Sequence, residues 1–107
     1  MGTTDFPLPQ ELAETVMGLI HEADLVAAQL GDEEAGADLE ELAGSLLKVH
    51  ADAHAAAMET PGHPQLNAAV RHLQEACDLI DDGMPADAVI FEVLAARARL
   101  EASLTPD

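Results

Sequence analysis

Tryptophan and tyrosine are missing from this 107-residue chain, and phenylalanine occurs only as Phe6 and Phe91. A sheet core draws on aromatic and β-branched residues, whereas the hydrophobic 49% here is mostly Ala, Leu and Val, which suits close-packed helices. The expected class is all-α. Positive charge is as scarce: Lys48, Arg71, Arg97 and Arg99 stand against 21 acids, for a formal net charge of −17. A nucleic-acid-binding face displaces counterions with clustered cations, and these few scattered ones cannot form one, so direct nucleic-acid binding is not expected. Anionic membrane surfaces are set aside on the same ground, and no apolar run approaches the ~18 residues of a membrane span.

Cysteine occurs once, at Cys77, so no internal disulfide can form. The opening MGTTDFPLPQ has neither the basic start nor the apolar stretch of a signal peptide, and the expected location is the cytoplasm. Enzyme chemistry finds few components. Ser45 and Ser103 are the only serines, no Gly-rich phosphate loop occurs, and Cys77 has no electropositive setting to activate it. His72 and Glu75 have an acid–base spacing, but Glu75 points away from the flank that carries His72. The expectation is a protein that is not an enzyme.

What the chain does have is punctuation. Pro9 and Gly31 bracket a first helix near 10–30, and GDEEAGAD is a polar turn in which Asp38 can cap a second helix near 38–58. ETPGHP is the strongest break, a linker over 59–63. Pro64 starts a third helix that ends at Gly83, and Pro85 starts a fourth that runs to about 104. Hairpins over about 10–58 and 64–104 then form one domain, and a chain of 11.2 kDa buries roughly 65% of its unfolded surface, enough for a core without staples.

Apolar spacing supports this division. Leu12, Val16, Leu19, Ala23, Val26 and Leu30 step by 4-3-4-3-4, and Leu66, Val70, Leu73, Cys77 and Ile80 repeat the rhythm. The second helix carries Leu39, Leu42, Leu46, Val49 and Ala53, and the fourth Ala86, Val89, Val93, Ala96 and Leu100. Such seams belong to helices crossing at shallow angles. A shift of 54 aligns Leu12 with Leu66, Val16 with Val70 and Ala23 with Cys77, and a shift of 47 aligns Leu46 with Val93, His50 with Arg97 and His54 with Glu101. An old duplication and a shared heptad periodicity both account for this internal repeat, the PQEL and PQL helix starts favouring duplication, and either way the predicted product is a four-helix bundle of two hairpins with a pseudo-two-fold axis.

Residues 79–100, LIDDGMPADAVIFEVLAARARL, resemble the helix-turn-helix junction of the small CsoR/FrmR-type repressors, which sense metals or aldehydes. In that family a helix ends in an acidic pair, a short turn leads to a Cys, and an apolar helix follows. Asp81 and Asp82 match the acidic pair, and Val89, Ile90, Val93, Ala95, Ala96 and Leu100 match the apolar helix. The match spans about a fifth of the chain without a gap. Ala86 stands where the family has its sensing Cys, and the basic residues used on DNA are absent from the acidic first helix, so neither function carries over. The resemblance implies a scaffold: those proteins dimerise into antiparallel four-helix arrangements, which a fused repeat reproduces in one chain.

At about 100° per residue, His50 and Arg97 fall on the core stripes of their helices, Cys77 on the third, and His54 at an edge. Histidines at i and i+4 can chelate Zn, Cu or Ni, and Cys77 from a facing helix, with Glu22 near the seam's edge on the first, would make a mixed N/S/O site with His50 and His54. No His-Glu-x-x-His or Glu-x-x-His pattern accompanies them. Otherwise His50 is a neutral core histidine, Cys77 a small apolar filler and His54 a wet edge residue, with no cofactor. Arg97 then needs a carboxylate, for which Glu22 is a candidate. Phe91 points away from its seam, as do Leu25 and Leu79, so Phe91 is a candidate interface residue. The composite expectation is an acidic bundle acting through a protein partner, a basic one or a second copy as a homodimer. A metal-ion or small-molecule binder at His50 and His54 is the alternative, and a DNA-mimic inhibitor a further one.

Overall fold

The computed structural model of the chain describes residues 9–32 and 39–104, and at Leu39 the backbone alone. The Asp38 cap, most of the polar turn before it and the seam role of Leu39 lie outside the described residues. Among the described residues four helices form: α1 (Gln10–Gly31), α2 (Leu39–Glu59), α3 (Pro64–Asp81) and α4 (Ala86–Leu104). α1 packs on α2 and α4, and α3 packs on α2 and α4, while the diagonal pairs do not meet among the described residues. Neighbours run antiparallel. Arg99, late in α4, donates to Gln65, early in α3, at 3.2 Å, and Arg97 of α4 pairs with Asp24 while Ile90 lies against Gly31. The result is a four-helix bundle.

Helix ends follow from local chemistry. Pro9 precedes α1 with φ −54°, and its carbonyl accepts from the Ala13 N–H at 2.8 Å. Pro64 is the first residue of α3, where a missing N–H costs nothing, and the His63 ring accepts from the Leu66 N–H at 3.5 Å. The α2–α3 turn closes with His63 N–H donating to the Thr60 carbonyl at 3.1 Å and Gly62 at φ 86°. At the end of α3, Met84 N–H donates to the Leu79 carbonyl at 2.9 Å and Gly83 N–H to the Ile80 carbonyl at 3.0 Å. That reciprocal pair, with Gly83 at φ 73°, is a Schellman stop, and it satisfies carbonyls that the helix would otherwise leave open.

All six seam residues of α1 are buried, and in α4 Val89, Val93, Ala96, Leu100 and Ser103 are buried while Ala86 is half-buried. α3 differs from its predicted seam. Leu66, Ala69, Leu73 and Ala76 are buried, while Val70, Cys77 and Ile80 are half-buried. Both spacings satisfy a helical stripe, and the packed helix turns its alanines inward, where small side chains let neighbouring helices approach closely. Ala23, Ala53, Ala69, Ala76 and Ala96 all have zero exposure, so the core alternates Leu and Val with fully buried alanines. Under the shift of 47, buried Leu42, Leu46, Val49, Ala53 and Ala56 fall on buried Val89, Val93, Ala96, Leu100 and Ser103. The shift of 54 instead sets half-buried Val70 and Cys77 on buried Val16 and Ala23.

Candidate functional site

α2 and α3 leave an outer groove near their shared turn. Its walls include His54 and Met58 from α2 and Asn67, Val70 and Arg71 from α3, around a volume of about 830 Å³. The turn of Pro61 and Gly62 closes one end. His54 is exposed, as an edge residue should be, but His50 is half-buried and sits at the rim of the core stripe, not within it. One helical turn apart, their rings stack with centroids 6.4 Å apart and planes at 23°. Cys77 lies elsewhere along α3, in a smaller hollow with Ala43, Gly44, Leu47 and Asp81. Among the described residues no three or more His, Cys, Asp or Glu side chains gather closely enough to hold a metal ion. The structure therefore brings His50 and His54 together and does not assemble a three-ligand group with Cys77.

The Cys77 thiol is pushed above its ordinary pKa by burial first, then by the carboxylates of Asp78 and Asp81. A protonated thiol is a poor nucleophile and a poor metal ligand. Arg97 is half-buried and pairs with a carboxylate of α1, which is Asp24 and not Glu22. Glu22 sits two residues away, roughly 200° around the helix, on the flank turned from α4. Arg97 Nε lies against Asp24 Oδ1 as an ion pair without hydrogen-bond alignment, and Nη1 donates to Glu101 Oε1 at 2.9 Å. His72 finds its carboxylate on the neighbouring helix, with Nδ1 2.8 Å from Glu92 Oε1 of α4, while Glu75 is exposed.

On the outside of α4, Phe91 is 69% exposed and Leu94 46% exposed. Helical spacing sets Asp87, Phe91, Leu94, Ala98 and Glu101 along one strip, apolar in the middle and acidic at both ends. Leu25 is exposed as expected, whereas Leu79 is half-buried against the core. No helix among the described residues is long and apolar enough to cross a membrane. Asn67, Arg71 and Glu92 gain their roles only from folding: each carries an ordinary surface residue type, and no spacing within the chain singles it out.

In comparisons with known proteins, no family model matches the chain, and no curated protein or solved structure matches it significantly.

Proposed function

We propose that this chain is a non-enzymatic binding module that docks another protein on the outer face of α4. The observation that carries the reading is the exposed Phe91, followed one turn on by exposed Leu94 and bounded by Asp87 and Glu101. Burying one such phenylalanine is worth about 1.5–3 kcal/mol, and Asp87 beside it, in a chain at −17, favours a partner with basic residues beside its apolar ones. The fitting partner is an amphipathic segment with an apolar centre and basic residues on its flank. A second copy of the chain is the other occupant, opposed by the mutual repulsion of two bodies each at −17.

Fluorescence anisotropy with a labelled Leu/Lys amphipathic helical peptide tests the reading. Phe91→Ser and Leu94→Ser keep the charge, so together they should weaken binding about tenfold or more if the strip is the contact. Unchanged affinity would show attraction by charge alone and would end the reading. Sedimentation equilibrium of the chain by itself reads out the homodimer.

A second reading, a metal-ion binder, has the stacked His50–His54 pair in its favour. Zn, Cu or Ni at about 100 times its dissociation constant stabilises a native state by roughly 2.7 kcal/mol, which a thermal melt detects. Replacing both histidines by Ala must abolish that shift.

A further inference from the structure

The α2–α3 groove holds a feature that the α4 strip does not use. Lys48 pairs with Asp52 at 3.1 Å, Arg97 with Asp24 and Glu101, and Arg99 donates to Gln65 at 3.2 Å. Arg71 is the exception. It makes no hydrogen bond or ion pair among the described residues, although Glu75 follows it by one helical turn. In a chain with 21 acids, a guanidinium left open on the wall of a groove is a place for an anion supplied from outside.

We propose that this groove binds a small organic carboxylate with an apolar body, of the medium-chain fatty acid type. Arg71 offers a planar fork of donors matched to a carboxylate, and Asn67, one turn earlier on α3, adds an amide that donates beside it. His54 brings a ring N–H from the opposite wall, while Met58, Val70 and Pro61 line the space for the chain. The groove, of about 830 Å³, is open on its outer side, so it covers one flank of a bound chain and leaves the other to solvent.

Charge selects within the anions. A phosphate dianion would meet a field of −17 with one arginine to hold it, whereas a monocarboxylate adds the least charge and gains contact from apolar walls. The same arginine disfavours a cation at His54, since both line one groove. The site is separate from the α4 strip, and either can fail without the other.

The test is a ¹H–¹⁵N NMR titration with octanoate, using octanamide as its uncharged counterpart. Amide shifts should be confined to the groove, including Gly62, Asn67 and Arg71, with octanamide about tenfold weaker or worse. Arg71→Gln should cost octanoate about the same factor and leave octanamide unchanged. Glu75→Gln should tighten octanoate, and it carries the test if Arg71→Gln fails to fold. Equal affinity for the two probes, or Arg71→Gln binding octanoate as tightly as the parent, overturns the proposal.

Discussion

Leu46 and Leu47 are adjacent on α2, yet Leu46 has zero exposure and Leu47 is 59% exposed. Truncating each to Ala removes the same atoms from opposite environments. For Leu46 the transfer loss is about 2.4 kcal/mol at ~0.8 per carbon, and a cavity adds about 1 kcal/mol. Its cluster includes Ala23, Ala53 and Ala76, whose side chains are too short to reach into the space. Leu46→Ala should therefore cost about 3 kcal/mol and lower Tm by roughly 10–20 °C, while Leu47→Ala stays within about 0.5 kcal/mol. With neither Trp nor Tyr in the chain, far-UV circular dichroism is the probe, applied to melts at two protein concentrations. Equal Tm losses for the two variants at both concentrations would refute the face assigned to α2. A Leu47→Ala loss that grows with concentration would instead place Leu47 in an interface.

Four further outcomes follow from the same structure. Gly18→Ala and Gly44→Ala, whose added Cβ atoms meet nothing within 4 Å, should each stabilise by about 0.5–1 kcal/mol, whereas Gly83→Ala at φ 73° should cost about 1–2 kcal/mol in denaturant titrations. Asp24→Asn should cost at most about 0.5 kcal/mol, because both partners are partly solvated, and Glu22→Gln nothing; the reverse order would restore Glu22 as the partner of Arg97. The raised Cys77 pKa means that the folded chain holds the thiol proton more tightly than the unfolded chain, so stability is lost as pH rises above the unfolded value; Ellman's reagent from about pH 7 to 10 should react more slowly than with the unfolded chain, and equal rates would contradict this. Added NaCl should raise Tm by screening repulsion among 21 acids, and a flat response would show that this repulsion contributes little.

The bundle is legible in the sequence where the apolar spacing and the bulkier side chains favour the same stripe. α1 offers Leu12-Val16-Leu19-Ala23-Val26-Leu30 and, sharing three members, Ala13-Val16-Ile20-Ala23-Ala27-Leu30; every member of the first is buried, whereas Ala13, Ile20 and Ala27 are half-buried. α3 offers two, Leu66-Val70-Leu73-Cys77 and Leu66-Ala69-Leu73-Ala76, which share their leucines. Only the approach of α2 and α4 decides between them, and it favours the alanines. Helix faces also limit what can be said of polar residues. That Arg97 needs a carboxylate follows from its position near the seam, but choosing Asp24 over Glu22 requires knowing on which side α4 lies. The α2–α3 groove was not legible, because it depends on how the Gly62 turn sets the two helices, bringing Arg71 across from His54.

The antiparallel ring has a consequence for chain order. Gln65 meets Arg99 near the start of α3 and the end of α4, and Glu59 at the end of α2 shares a hollow with Pro9 and Glu11 at the start of α1. Leu104, Gln10 and the turn at 60–63 therefore lie at one end of the bundle. A circular permutant running α3–α4–α1–α2, opened at that turn and joined by a short linker from Leu104 to Gln10, would bury the same residues against the same neighbours. The two hairpins act as interchangeable blocks whose order along the chain is independent of the core they build.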